Sequence, residues 1–179
     1  MHKFKNSQTN SHTLSLSYKN YLIFVIVTLT LPIIVSSQTP SKPDPKMADF
    51  VGTYKFEKDD GKFDDFLKAM GVSFVTRKVA VNTSPTIEVS AKDDGTYVVT
   101  TTSTFKTSKI EFKLGQEFEE NRMDGETVKT TITKEGNKLI QKQVADPPVE
   151  IVREFTGDKM ITTCKCKDVV NVREYKKVA

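Results

Sequence analysis

Along residues 47–179, apolar and polar positions alternate in short runs, and turn sequences separate the runs at fairly regular intervals. "KDDG" stands at 58–61 and again at 92–95, followed by "LGQ" (114–116), "MDGE" (123–126), "KEGN" (134–137), "ADPP" (145–148) and "TGDK" (156–159). The runs between them are rich in Val, Ile, Thr and Phe. Short strands joined by tight turns predict an all-β antiparallel meander, closed as a barrel or folded as a sandwich. The domain lacks the long strand–helix alternation of a parallel sheet.

One segment breaks the alternation. In "KFDDFLKAMGVSFVTRKVAV" (62–81), Phe63, Phe66, Leu67 and Met70 recur at i, i+3, i+4 and i+7, one apolar helical stripe. Asp64 and Asp65 suit a first turn, and Gly71 suits the stop. A second short helix is expected through Phe74, Val75, Lys78 and Val79. The segment reads as a helical hairpin inserted after the first strand.

The strand faces say what the sheet encloses. In "PTIEVSAK" (85–92), Ile87, Val89 and Ala91 oppose Glu88, Ser90 and Lys92. In "SKIEFKL" (108–114), Ser108, Ile110, Phe112 and Leu114 share the inner face. In "KMITTCKCK" (159–167) that face holds Met160, Thr162, Cys164 and Cys166. Thr, Ser and Cys stand where a dry core would take Leu or Ile, and the chain has no Trp. A barrel around a partly polar cavity explains this better than a filled sandwich.

Two inward positions carry charge. "PVEIVREF" (148–155) places Arg153 beside Val149, Ile151 and Phe155, while "VVNVREYKKV" (169–178) places Arg173 beside Tyr175. A buried guanidinium is expensive unless an anion meets it, and the inner faces traced above offer no acid. One strand separates the two runs, so in a meander the arginines stand roughly 10 Å apart. From there both can converge on a carboxylate, with the Tyr175 hydroxyl as a third donor. The alternative is one buried arginine satisfied by carbonyls or by an acid outside the faces traced here, and one facing solvent.

Charge and composition narrow the function. Residues 1–46 hold five lysines against Asp44, so the net charge of +4 resides there and 47–179 is neutral. The domain therefore carries no nucleic-acid footprint. The leader joins a basic start to "YLIFVIVTLTLPIIV" (21–35) and a Pro/Ser/Lys-rich linker. Residues 1–37 resemble a secretory signal peptide, and the apolar run is shorter than the ~20 residues of a typical membrane span. Met47, opening "MADF", reads equally as a start, so export, an anchor and an unused extension all stay open. The two cysteines, Cys164 and Cys166, are too close for a relaxed disulfide and lack C-x-x-C spacing, which favours a reduced, cytoplasmic setting. "NTS" (82–84) is a sequon that matters only after export. The only histidines, His2 and His12, lie in the leader. With no G-x-S-x-G elbow, and Glu119–Glu120 read as a solvated pair at a turn edge, the expectation is a non-enzymatic domain without metal or cofactor.

"FVGTYKF", "FDDFLKAMGVSFVTRK", "STFKTSKIEFKLGQEFEE", "VREF" and "VREY" resemble an intracellular fatty-acid-binding protein of the calycin superfamily, in an arthropod-like form. The resemblance covers essentially all of 47–179. It implies a ten-stranded up-and-down β-barrel capped by a helix–turn–helix lid, acting as a monomeric carrier of long-chain fatty acids. It also implies that Arg153, Arg173 and Tyr175 hold the carboxylate and that Phe63, Phe66 and Phe105 contact the ligand. From the strand faces, Thr162 and Cys164 are expected along the acyl chain, and the charges of Lys68, Arg77 and Lys78 make the lid a candidate for contact with anionic membrane. The alternatives are a secreted carrier of related hydrophobic ligands of retinoid or bile-acid type, and a membrane-docking or partner-recognition module whose cavity is incidental. Three departures stand out. "KDDGKFDD" is one residue longer than usual, "VADPPVE" lacks the usual Trp-Asp-Gly, and Glu126 replaces a basic residue.

Overall fold

The computed structural model describes residues 50–179, so the expectations for 1–46 and for Met47 lie outside the described residues. The elements are β1 (Gly52–Asp59), α1 (Phe63–Ala69), α2 (Phe74–Val81), β2 (Thr86–Ala91), β3 (Tyr97–Thr102), β4 (Thr107–Phe112) and β5 (Glu117–Asn121), then β6 (Thr127–Glu135), β7 (Lys138–Val144), β8 (Val149–Thr156), β9 (Lys159–Cys166) and β10 (Val169–Lys177).

All pairings are antiparallel, in the order β4-β3-β2-β1-β10-β9-β8-β7-β6-β5. Neighbours in space are neighbours in sequence except where β10 returns to β1. That pairing turns the meander into a nearly closed barrel, with β4 and β5 left as its two edges. Two-residue hairpins enforce the register at β6–β7 and β8–β9: Gly136 and Gly157 each take φ near +60°, 59° and 60°, a conformation that matches the right-handed twist of the flanking strands.

The expected faces recur. Ile110 and Phe112, then Met160, Thr162, Cys164 and Cys166, then Val149, Arg153 and Phe155 are all buried. Ala91 differs: as the last residue of β2 it lies where the chain leaves the sheet, and it is exposed. Away from the lid, Phe50, Tyr54, Ile132, Leu139, Phe155 and Met160 pack into a solid floor. There the Tyr54 hydroxyl donates to the Phe50 carbonyl at 3.0 Å, and the Phe50 and Phe155 rings stack at 4.6 Å.

The lid is the expected helical hairpin. Ser73 caps α2, its hydroxyl accepting from the Thr76 amide at 3.3 Å. Arg77 ties the two helices together: Nε donates to Asp64 at 3.1 Å and Nη1 to the Val72 carbonyl at 2.9 Å. Asn82, the sequon asparagine, ends α2 by donating to the Lys78 carbonyl at 2.7 Å. Beneath the lid Phe66 is buried against Val149, Cys164 and Cys166. Among the described residues, no helix is long and apolar enough to cross a membrane.

A carboxylate anchors the lid to the barrel. Asp60, between β1 and α1, accepts from the Asn171 side chain at 2.6 Å and from the Lys62 and Val172 amides at 3.0 and 3.1 Å. Burial pushes this carboxyl up, but those three hydrogen bonds and the Lys62 charge outweigh it and hold it below the usual aspartate value. A depressed folded pKa means that the contribution is complete above the unfolded value, ~3.9, and is lost as pH falls through the lower folded value. Asp60→Ala should therefore destabilise the fold at pH 7 by on the order of 1 kcal/mol, limited by solvent screening, and by less as pH drops below 4. Urea unfolding at pH 7 and pH 3 checks this; an equal loss at both pH values contradicts the clamp.

Candidate functional site

Between the lid and the floor lies a cavity of about 410 Å³, within the ~300–1,000 Å³ usual for small-molecule sites. Of the floor cluster, Val99, Ile110 and Tyr175 reach it. Phe63, Phe66, Leu67 and Met70 of the lid segment cover it.

The register of three strands assembles its charged end. Thr162 on β9 pairs with Arg153 of β8 on one side and with Arg173 of β10 on the other. The three inward side chains thus form one row, with the arginines flanking the threonine as strand counting anticipates. All three residues are buried, and Arg153 Nε, Thr162 Oγ1 and Arg173 Nε have no protein hydrogen-bond partner. Tyr175, two residues beyond Arg173, lines the same cavity.

The arginines are held differently. Arg173 is held by rings: its guanidinium carbon lies 4.1 Å from the centroid of Phe63, 4.5 Å from Phe56 and 5.8 Å from Tyr175. Such cation–π contacts support the charge without consuming its N–H donors. Phe63 belongs to α1, so Arg173 also joins the lid to the charged end. Arg153 is held by a polar relay. Its Nη1 donates to Gln141 Oε1 at 2.7 Å, and Gln141 Nε2 donates to Glu120 Oε2 at 2.7 Å. The same Glu120 oxygen accepts from the Thr130 hydroxyl at 2.7 Å.

Glu120 corrects one expectation and supplies an acid that the traced faces lack. It is not a solvated turn-edge acid but a buried residue within β5, facing inward while Glu119 faces out. The inner faces therefore do carry an acid, reached from Arg153 through one glutamine. The signal lay in "EFEEN" (117–121), where strand alternation sends Glu120 to the face opposite Glu117, Glu119 and Asn121.

Burial lowers the Arg153 pKa from its usual value, while Cys164, Glu120 and Tyr175 pull the other way; a guanidinium so placed remains a cation. Burial pushes the Tyr175 hydroxyl up to about 12 and the Cys164 thiol up to about 11, each against the pull of the arginines. Both are therefore protonated near neutral pH, Tyr175 as a donor and Cys164 as an unreactive thiol. Cys164 and Cys166 are both buried and free.

The other expected residues distribute as follows. Phe63, Phe66 and Cys164 line the cavity, whereas Thr162 is buried in the row between the arginines. Phe105, in the β3–β4 turn, lines the mouth and is 67% exposed. Lys68 and Lys78 face outward, but the Arg77 side chain is only 13% exposed and is occupied by Asp64. Sequence reasoning missed a second pair at the mouth: Arg122 and Asp124, in the β5–β6 turn, form a partly buried ion pair that lines the cavity. Among the described residues no cluster of three or more His, Cys, Asp or Glu could hold a metal ion.

The chain is similar to known proteins over most of its described length. Residues 51–178 match the model of the lipocalin / cytosolic fatty-acid binding protein family. A fatty acid-binding protein of Tyrophagus putrescentiae is 52% identical over 132 residues, covering 73% of this chain and 99% of that protein. The crystal structure of a fatty acid-binding protein from brain tissue of Drosophila melanogaster is 52% identical with a TM-score of 0.68, covering 71% of this chain and 98% of that one. A fatty acid binding protein of Schistosoma mansoni, in complex with arachidonic acid, is 35% identical with a TM-score of 0.71 and covers 75% and 99%. On this match, and on the ten-stranded barrel with its helical lid, the chain belongs to the lipocalin / cytosolic fatty-acid binding protein family.

Proposed function

We propose that this chain is a non-enzymatic, monomeric carrier of long-chain fatty acids, with Arg153, Arg173 and Tyr175 holding the ligand carboxylate. The observation that carries this reading is the row across β8, β9 and β10. Two guanidinium nitrogens and a threonine hydroxyl are buried there without protein partners, beside a cavity roofed by apolar side chains. A carboxylate supplies the acceptors that these groups lack, and fork-like guanidinium donors match its two oxygens. The acyl chain then runs under Phe63, Phe66 and Leu67 and past Cys164, gaining on the order of 0.8 kcal/mol per buried CH₂. Relatives whose names and bound ligand specify fatty acids support the same ligand class. The two free cysteines fit a reducing intracellular setting.

A second surface adds a docking role. Phe74 and Val75 are 62% and 73% exposed on α2, and Lys78 lies 5.3 Å from the Phe74 ring centroid. Apolar side chains beside a cation, close to the cavity mouth, suit contact with an anionic bilayer while ligand passes.

Two outcomes follow. Arg153→Gln combined with Arg173→Gln should weaken long-chain fatty-acid binding roughly tenfold to a hundredfold, the effect of losing charge-assisted hydrogen bonds. The variant should still fold, with a native-like far-ultraviolet circular dichroism spectrum. Calorimetric titration checks the first point, and unchanged affinity in the double variant contradicts the assignment. For docking, Lys68→Ala with Lys78→Ala should slow transfer of a fluorescent fatty acid to anionic vesicles and leave transfer to neutral vesicles alone. Arg77 is excluded from this pair because it holds the lid together. Equal rates with both vesicle types would remove the docking role.

A further inference from the structure

One wall of the cavity is polar beyond what a carboxylate needs. Along β7 the inward positions alternate Leu139, Gln141 and Gln143, all buried. Leu139 pairs with Arg153, and Gln141 bridges Arg153 and Glu120 through its Oε1 and Nε2. Gln143 is different. It lines the cavity at 4% exposure, and its Oε1 is buried without a hydrogen-bond partner. Its strand neighbours cannot help: Val149 of β8 has no polar side-chain atom, and the Thr130 hydroxyl of β6 already donates to Glu120.

Gln143 sits four residues along β7 from the level of Arg153, or roughly 14 Å at strand spacing. An acyl chain whose carboxylate lies at the arginines passes Gln143 part-way along its length or beyond. The same wall ends at Arg122 and Asp124, which line the cavity together. Asp124 engages Nε and Nη2 of Arg122, leaving Nη1 outside the pair. Across the cavity the lid presents Phe66, Leu67 and Met70. The ligand chain is thus offered an apolar roof and a polar wall that holds an unmet acceptor.

We propose that Gln143, with Arg122 beyond it, forms a second subsite that recognises a hydroxyl group carried along the acyl chain, so that the barrel prefers hydroxylated fatty acids to their plain counterparts. This rests on the reading of Arg153 and Arg173 as the carboxylate seat. A hydroxyl is the fitting group because it both donates and accepts. It satisfies the Gln143 amide in either orientation and can accept from a guanidinium as well. A keto or ether oxygen has no proton for the glutamine carbonyl. A plain methylene chain leaves that carbonyl buried and unpaired, and so forgoes the selectivity that a site built to hydrogen-bond a hydroxyl provides.

The test is calorimetric titration of the full chain with stearic acid and with a positional series of hydroxystearic acids. One isomer, hydroxylated at mid-chain or beyond, should bind about tenfold tighter than stearic acid, the effect of one satisfied buried hydrogen bond. Isomers hydroxylated next to the carboxylate should show no such gain. Gln143→Leu should abolish the preference and retain stearic acid binding. A wild-type series with no isomer tighter than stearic acid overturns the subsite, and so does a preference that survives in Gln143→Leu. Failure of both stearic and hydroxystearic acids to bind would instead overturn the carboxylate seat, and the subsite with it.

Discussion

Two permanent positive charges inside a barrel are the constraint around which the rest of this structure is arranged. A guanidinium loses its hydration on burial and cannot escape by giving up its proton. Arg153 and Arg173 answer that problem by different means. Arg153 leans on Gln141, and through it on Glu120, so its charge is partly balanced inside the protein. Arg173 lies against the faces of Phe56 and Phe63, which support a cation without occupying its donors. Neither device uses every donor, and the Nε atoms that remain flank Thr162 in one row.

That arrangement depends on closure of the sheet. Only because β10 pairs with β1 does Arg173 come to lie between Phe56 of the first strand and Phe63 of the helix that follows it. The lid is accordingly not a separate cover. It is joined to the charged end through Phe63, to β10 through the Asp60–Asn171 bond, and to β8 and β9 through Phe66. Opposite it the aromatic floor fills the barrel and confines open space to the lid side. The cavity is consequently two-faced, with apolar lid residues above and amides and charges along β5, the β5–β6 turn and β7.

The architecture was legible because strand alternation and turn residues are local signals. Gly136 and Gly157 mark hairpins whatever surrounds them, and Phe63, Phe66, Leu67 and Met70 mark a helix by spacing alone. The arginines were legible for the same reason, since alternation placed them among apolar neighbours. What they touch was not. Glu120 sits in a five-residue strand between two turns, where the pattern is too short to separate a buried acid from a solvated one. Its partners Thr130 and Gln141 are ten and twenty-one residues away. Arg122 and Asp124 looked like ordinary turn residues because their burial arises from packing against the cavity rather than from a repeat. Arg77 had the same difficulty in reverse: a cation on a short helix reads as exposed until its bond to Asp64 is seen.

The role proposed for the two arginines turns on where a bound carboxylate lies. A crystal structure of the chain with a long-chain fatty acid shows this directly. Carboxylate density is expected between Arg153 and Arg173, within hydrogen-bond reach of Tyr175, with the acyl chain beneath Phe66 and Leu67. A carboxylate at the mouth beside Arg122, with the two inner arginines uninvolved, would contradict that role.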